Sequence, residues 1–180
     1  MKDEINIDGE IFHNTVKILK DLIKFQTVSG KSNIELIEYC ENVLEQSGAI
    51  SIKTFNKSKT QANLFSTIKG INSSDKGIVL SGHTDVVPAI ASEWTSDPYV
   101  AIEKDKKVFG RGTCDMKGFI ACTLAVAPYF ASEELNKPIH FSFTFDEETG
   151  CLGVPIVLEN LKKRNIKFSA CIIGEPTNMK

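Results

Sequence analysis

The sequence lacks the features that mark exported, membrane-bound and nucleic-acid-binding proteins. Its first ten residues, MKDEINIDGE, are acidic and polar, whereas a signal peptide needs a basic stretch followed by an apolar one. Apolar residues make up 42% and charged residues 24%, which indicates neither a membrane protein nor a disordered chain. The net charge of -2 gives no electrostatic reason to bind nucleic acid. We therefore expect neither a nucleic-acid nor a membrane partner.

Cysteine is scarce and is not arranged in pairs. The chain has five cysteines, an odd number, and no CxxC pair, so neither a disulfide framework nor a cysteine-ligated zinc site is indicated. A dinucleotide fingerprint is also missing, because GRGTCDMKG has aspartate where the third glycine would stand. These observations predict a reduced, cytoplasmic protein without a Rossmann cofactor site.

What the sequence does have is a regular succession of apolar segments with two different periods. Apolar residues at helical spacing predict helices, and short apolar or alternating runs predict strands. The predicted helices cover 10–25, 33–46 (capped by Ser32 or Asn33), 118–130 (interrupted near Pro128) and 154–164. The predicted strands cover 51–55, 62–68, 77–83, 138–145 and 168–174, with a hairpin turning at 105–107.

This order of strands and helices predicts an α/β fold. We expect a sheet of mostly parallel strands with helices on both faces. A length of 180 residues suits one compact domain, and the sequence shows no internal repeat, low-complexity tract or linker. We therefore predict a single domain over residues 1–180.

Three of the predicted strands end in side chains that bind metals. The first ends in His83 and Asp85, the second in Glu147 and Glu148, and the third in Glu175. Ligands of open α/β sheets bind at the carboxyl ends of the strands, where parallel strands would bring these groups together. Asp115, in the loop before the 118–130 helix, is a fourth source of a ligand. One histidine with several carboxylates suits zinc, cobalt or manganese better than calcium.

The spacing of these residues predicts a division of roles among them. In His83-Thr84-Asp85, the imidazole and the carboxylate lie on one side of an extended chain, so Asp85 is interpreted as a partner that orients the histidine. Glu147 and Glu148 are neighbours that point in opposite directions. One is expected to bind the metal and the other to act on water as a general base.

Each of these signals also has an ordinary interpretation. A histidine at the end of a strand is commonly a loop residue, three acids in a row commonly begin a solvated helix, and Glu175 in GEP is consistent with a turn. His13 and His140 are taken as ordinary histidines. The metal-site interpretation is preferred because all three groups lie at the same end of apolar strands.

Five stretches of the sequence resemble those of one enzyme family. The stretches are SGHTDVVP, WTSDPY, GRGTCDMKGF, FDEETG and IIGEPT, in this order. They resemble the zinc-dependent acyl-amino-acid hydrolases that include acetylornithine deacetylase, succinyl-diaminopimelate desuccinylase and glutamate-releasing carboxypeptidases. GRGTCDMKGF, DEETGCLG and GEPTNMK look most like the acetylornithine deacetylase branch, which cleaves N-acetyl-ornithine to ornithine and acetate in arginine biosynthesis.

The resemblance implies a role for each candidate side chain in a centre with two zinc ions, which Co²⁺ or Mn²⁺ can replace. By this resemblance, His83, Asp115 and Glu175 hold the first zinc ion. Asp115 also reaches the second zinc ion, which Glu148 binds. Glu147 is the base that activates the attacking water, and Asp85 orients His83. The substrate implied is a small N-acyl amino acid.

The same resemblance implies parts that residues 1–180 do not contain. Members of the family continue for about as long again, with a lid and dimerisation domain after the GEP strand and a second histidine ligand. We therefore expect the N-terminal part of a catalytic domain, with one nearly complete zinc site and one deficient site, from a protein that forms a homodimer. Three alternatives stay open: a desuccinylase or dipeptidase, a truncated non-catalytic metal-binding domain, and a metal-free doubly wound binding domain.

Overall fold

The computed structural model describes residues 7–72 and 76–177. The start of the polar N-terminal segment and the end of the GEPTNMK stretch lie outside these residues. A turn of π-helix, Ile7–Ile11, leads into the first helix. The helices are α1 (Phe12–Lys24), α2 (Ile34–Gln46), α3 (Lys117–Ser132) and α4 (Val154–Lys163). Among the described residues, no helix combines the length and the apolar character that crossing a membrane requires.

Seven strands in the described part of the chain form two sheets. The strands are β1 (Ile50–Phe55), β2 (Ala62–Ile68), β3 (Gly77–His83), β4 (Ile102–Lys104), β5 (Lys107–Phe109), β6 (Ile139–Thr144) and β7 (Phe168–Ile173). β4 and β5 make the predicted hairpin, and the residues that turn between them, Asp105 and Lys106, both have positive φ angles, as a tight hairpin turn requires.

The main sheet has the order β1-β2-β6-β3-β7. β2 pairs antiparallel with β1 and β6, while β3 pairs parallel with β6 and β7. β2 alone therefore runs against the other strands, which confirms the prediction of mostly parallel strands. The three neighbours β6, β3 and β7 place their carboxyl ends at one edge, and this edge carries the candidate site.

Helices cover both faces of this sheet, as predicted. On one face, Phe141 and Phe143 of β6 pack into a core that is shared with α1, α2 and α3. On the other face, Val157 and Leu161 of α4 pack against Phe65 and other residues of a smaller cluster. The alternation of side chains along β6 explains this division, because successive residues of a strand point to opposite faces.

One local prediction about the helices is wrong, and a second holds for only one of the two residues that it offered. The interruption expected near Pro128 does not occur, because α3 continues through this residue to Ser132. Proline removes a single helix hydrogen bond, and the burial of Leu124 and Ala127 beside it holds the helix against the core. The side chain of Asn33 does not cap α2, because it is occupied by hydrogen bonds to Ala62 and Thr84. The other residue predicted to cap, Ser32, accepts the N–H of Ile34 through its hydroxyl oxygen at 3.4 Å.

Candidate metal centre

The carboxyl edge of the sheet brings a histidine and several carboxylates together. Nε2 of His83, the last residue of β3, lies 2.9 Å from Oδ1 of Asp115 and 3.7 Å from Oε1 of Glu175. One ligand atom from each of these three residues lies within 4.8 Å of the others. The structure therefore brings together the three side chains that the family resemblance assigns to one metal ion.

His83 is held in the orientation that a metal ligand needs. The side chain is buried, and Nδ1 is 2.9 Å from the main-chain oxygen of Asp85, to which it donates a hydrogen bond in the neutral tautomer. Nε2 is then directed at the carboxylates. Burial alone would lower the pKa of His83, but the neighbouring carboxylates of Asp85, Asp115 and Glu175 outweigh it and raise this pKa to about 9.

The carboxylate of Asp85 has more partners than the sequence indicates. Its Oδ1 lies 3.5 Å from Nδ1 of His83, so its role in orienting the histidine stays a prediction. Shorter bonds come from the main-chain N–H of Glu147 at 3.0 Å and from the hydroxyl of Ser29 at 2.7 Å. The N–H of Glu148 donates at 3.3 Å. Burial by itself raises the pKa of Asp85. The hydrogen bonds from these donors and the interaction with His83 have the larger effect, so the net shift of this pKa is downward.

Glu147 and Glu148 lie in the turn between β6 and α4, not at the start of a helix. Oε2 of Glu147 is 3.9 Å from Nε2 of His83, beside the three grouped ligands. Glu148 lies outside this group among the described residues, so its assignment to a second metal ion stays a prediction. Burial raises the pKa of Glu148, and the negative charge of Asp115 raises it further.

The crowding of acids at this edge fits a divalent cation. Burial raises the pKa of Glu175 too. His83 lowers this pKa, but the negative charges of Asp115 and Glu147 raise it, and the net shift is upward. Zinc ligands lie about 2.0–2.2 Å from the ion, so pairs of ligand atoms on one ion are separated by roughly 3.5 Å. The 3.7 Å between Nε2 of His83 and Oε1 of Glu175 is close to this value, whereas the 2.9 Å between Nε2 and Oδ1 of Asp115 is the length of a hydrogen bond. The donor set, one imidazole with carboxylates, is one that zinc, cobalt and manganese accept.

Asp115 reaches the site from a loop that is anchored in the core. The adjacent Met116 is buried, and its sulfur lies 3.2 Å from the main-chain N–H of His83. Lys117 is fully buried, and its ammonium donates to the main-chain oxygens of Leu22 and Phe25 at the end of α1. Sequence reasoning missed Lys117, although a lysine that opens a predominantly apolar helix is a signal that can be read.

A second missed residue is Asp146, which precedes the two glutamates. It is buried, and its Oδ1 accepts hydrogen bonds from the N–H of Gly30 and from Nε2 of Gln61, both at 2.7 Å. The first acid of the triplet therefore faces the protein interior. His140 lies in the smaller core cluster, where its Nδ1 bonds to Thr67 and its ring stacks on Phe65, while its Nε2 is buried without a hydrogen-bond partner among the described residues.

Comparison with known sequences decides the family. The sequence profile of peptidase family M20/M25/M40 matches residues 79–180, more than half of the chain. The chain belongs to the M20/M25/M40 peptidase family. This finding confirms the resemblance that the five sequence stretches carry, and all six candidate side chains lie within the matched segment.

Curated relatives of this M20 chain include two kinds of enzyme. An acetylornithine deacetylase of Buchnera aphidicola subsp. Schizaphis graminum (strain Sg) is 33% identical over 177 residues, which cover 92% of this chain and 43% of the relative. A succinyl-diaminopimelate desuccinylase of Rickettsia massiliae (strain Mtu5) is 37% identical over 170 residues, which cover 90% of this chain and 44% of the relative. The M20 chain thus spans less than half the length of these relatives.

Solved structures show the same fold. Human carnosine dipeptidase 1 superposes with a TM-score of 0.76 at 23% identity, covering 93% of this chain and 39% of that structure. The M20 family metallo-carboxypeptidase Sso-CP2 from Sulfolobus solfataricus gives a TM-score of 0.77 at 22% identity, covering 89% of this chain and 37% of that structure. These comparisons confirm the predicted α/β fold, and the chain spans less than half the length of either solved structure.

Proposed function

We propose that this protein is a zinc-dependent hydrolase that cleaves the amide bond of N-acyl amino acids. The observation that carries the proposal is the group formed by His83, Asp115 and Glu175, with Glu147 beside it. N-acetyl-ornithine is the first substrate to test, because several curated relatives at 32–36% identity are acetylornithine deacetylases. The products would be ornithine and acetate.

Each residue has a defined task in this proposal. His83, Asp115 and Glu175 hold one zinc ion, and Asp115 with Glu148 contributes to a second. Bound zinc supplies a Lewis acid that lowers the pKa of water and polarises the scissile carbonyl. Glu147 takes a proton from the attacking water and passes it to the leaving amine, because it lies next to the ligand group without belonging to it.

A second substrate class has its own support. The Rickettsia massiliae relative, at 37% identity, is a succinyl-diaminopimelate desuccinylase. This substrate carries a longer, acidic acyl group, whereas acetyl-ornithine carries a small neutral one. Rates measured side by side on acetyl-ornithine and succinyl-diaminopimelate separate the two proposals, and faster cleavage of the succinyl compound would replace the first with the second.

The metal assignment is tested by calorimetric titration of the metal-stripped chain with zinc. We expect one tight site in the wild-type chain, no tight site in His83→Gln, and an unchanged site in the matched control His140→Gln. A wild-type chain without any tight site would overturn the proposal and favour the metal-free binding domain. Tight zinc binding without turnover of either substrate would favour a metal-binding domain that is not catalytic.

We also propose a cytoplasmic location and a small-molecule substrate, with no nucleic acid or membrane involved. The five cysteines all lie among the described residues and are all unpaired, which supports a reducing compartment. A homodimer is proposed for the protein that contains this chain. Light scattering of the purified protein tests the dimer.

A further inference from the structure

The loop at 27–33, TVSGKSN, connects α1 to α2 and lies against the candidate metal centre. Its position follows from two contacts with the chain beyond β3. The N–H of Val86 donates to the main-chain oxygen of Thr27 at 3.0 Å, and the N–H of Ser29 donates to the oxygen of Val86 at 3.2 Å. The loop therefore runs beside the segment that carries Asp85.

Both ends of this loop are fixed without help from the site. At one end, the hydroxyl of the buried Thr27 donates to the main-chain oxygen of Thr84 at 2.5 Å. At the other end, the buried Asn33 side chain exchanges two hydrogen bonds with the main chain of Ala62, both at 2.8 Å. The residues between these anchors consequently have a defined place before any metal binds.

The middle of the loop gives two donors to the acidic residues of the site. The hydroxyl of Ser29 donates to Oδ2 of Asp85 at 2.7 Å, and the N–H of Gly30 donates to Oδ1 of Asp146 at 2.7 Å. Asp85 in turn accepts the N–H groups of Glu147 and Glu148. A continuous set of hydrogen bonds therefore runs from Ser29 through Asp85 to the main chain of both glutamates.

We propose that Ser29 is a positioning residue of the metal centre, which acts through Asp85 on the turn that carries Glu147 and Glu148. Oδ2 of Asp85 accepts both the hydroxyl of Ser29 and the N–H of Glu148. The serine therefore sets the rotation of the carboxylate, and this rotation controls the hydrogen bonds from the N–H groups of Glu147 and Glu148. The roles of the two glutamates rest on the proposed function. The hydrogen-bonded arrangement itself is independent of that function.

The experiment measures amide hydrogen exchange by NMR on the metal-free chain. Loss of a hydrogen bond to a charged carboxylate loosens its remaining bonds, so we expect Ser29→Ala to accelerate exchange at Glu147 and Glu148 by about ten-fold. Amides in β2 and β6 should keep their protection. Ser29→Thr retains the hydroxyl and should restore slow exchange.

The matched control is Ser51→Ala, which removes a part-buried hydroxyl bonded to Ser66, away from the site. It should leave both glutamate amides unchanged. Zinc affinity gives a second measure, and we expect a loss of about ten-fold in Ser29→Ala and none in the control, because Asp85 lies next to the proposed ligand His83. If Ser29→Ala does not fold, Ser29→Cys keeps the volume with a weaker donor and should show the same local acceleration.

Unchanged exchange at Glu147 and Glu148 in the folded Ser29→Ala or Ser29→Cys chain would overturn the proposal. Equal acceleration in Ser51→Ala would overturn it too, because the effect would then be general. Since exchange is measured without metal, its result decides the role of Ser29 even if the chain binds no zinc. Failure to bind zinc would instead count against the proposed function.

Discussion

In the proposed function, Glu147 acts on water and does not hold metal, so its two expected effects can be separated. We expect Glu147→Gln to lower hydrolysis of the preferred substrate by at least about 100-fold, because the amide cannot accept the proton from water. Zinc affinity should stay within a factor of about two, since Glu147 lies outside the ligand group. Steady-state turnover and calorimetry on the same preparation measure the two effects.

Asp97→Asn serves as the control for Glu147→Gln, because Asp97 bonds only within its own turn, to the N–H of Tyr99, among the contacts described. It should change neither turnover nor zinc affinity. Turnover retained in Glu147→Gln would show that another group acts as the base.

His83 should make the stability of the metal-free chain depend on pH. Its pKa in the folded chain is raised from 6.5 to about 9. The resulting stabilisation is complete below about pH 6.5 and is lost as the pH rises through about 9. We therefore expect His83→Gln to lower Tm by about 3 °C or more at pH 6, and by much less at pH 9.5.

The quantity compared is the difference in Tm between His83→Gln and the wild-type chain at each pH. Lys117 shifts in the opposite sense, because burial lowers its pKa to about 7, and its contribution cancels in the difference. His140→Gln is the control, since burial lowers the pKa of His140. An equal Tm difference for His83→Gln at both pH values would mean that His83 is not protonated beside the carboxylates.

At the scale of single elements, the end of β7 is the part that delivers Glu175. Gly174 lies so close to the ring of Phe119 on α3 that a β-carbon at this position would overlap the ring. Gly174→Ala should therefore displace Glu175 from His83 and weaken zinc binding by about ten-fold or more. Competition with a chromophoric chelator measures the affinity.

The substitution Phe119→Ala tests whether overlap with the Phe119 ring is what displaces Glu175. The double variant Gly174→Ala, Phe119→Ala has room for the added methyl group and should recover most of the zinc affinity. If the double variant binds zinc as weakly as Gly174→Ala alone, the close approach to Phe119 is not what places Glu175.

Most elements were predictable because their signals are local. Alternating phenylalanines in 141–145 mark a strand that is buried on its core face, and the spacing of Leu19, Leu22 and Ile23 marks the core face of α1. Pro128 was misjudged because packing against the core, which a local rule omits, holds the helix together. Asn33 was misjudged because its side chain bonds to β2, which is far away in sequence.

At the scale of the whole molecule, β7 is an exposed edge strand. Phe168, Ile172 and Ile173 are among its exposed apolar residues. A cavity of about 360 Å³, lined mostly by apolar residues, lies between this strand and α4 and extends to His83, Glu147 and Glu175. Edge strands with exposed apolar residues pair with other chains, so we expect the 180-residue chain to self-associate at high concentration. Light scattering over a concentration series measures the molar mass.

A charged residue on β7 should suppress this association. Ile172→Lys is expected to shift the chain toward monomer, because lysine on an edge strand disfavours pairing. Ile71→Lys is the control, since Ile71 is also exposed but lies outside the strands. A wild-type chain that stays monomeric at high concentration would contradict the prediction.

The sequence by itself determined the class of fold and the family, and it predicted which side chains the structure groups at the carboxyl ends of the strands. These depend on local information: strand ends, donor types and short stretches whose order is read directly. Only the tertiary structure decided how Ser29, Asp85 and Glu147 are connected and why Gly174 must be small. These contacts join residues that are far apart in the chain, such as 56 positions for Ser29 and Asp85 and 62 for Asp85 and Glu147. Their distances result from the packing of several elements at once, which no local pattern of residues encodes.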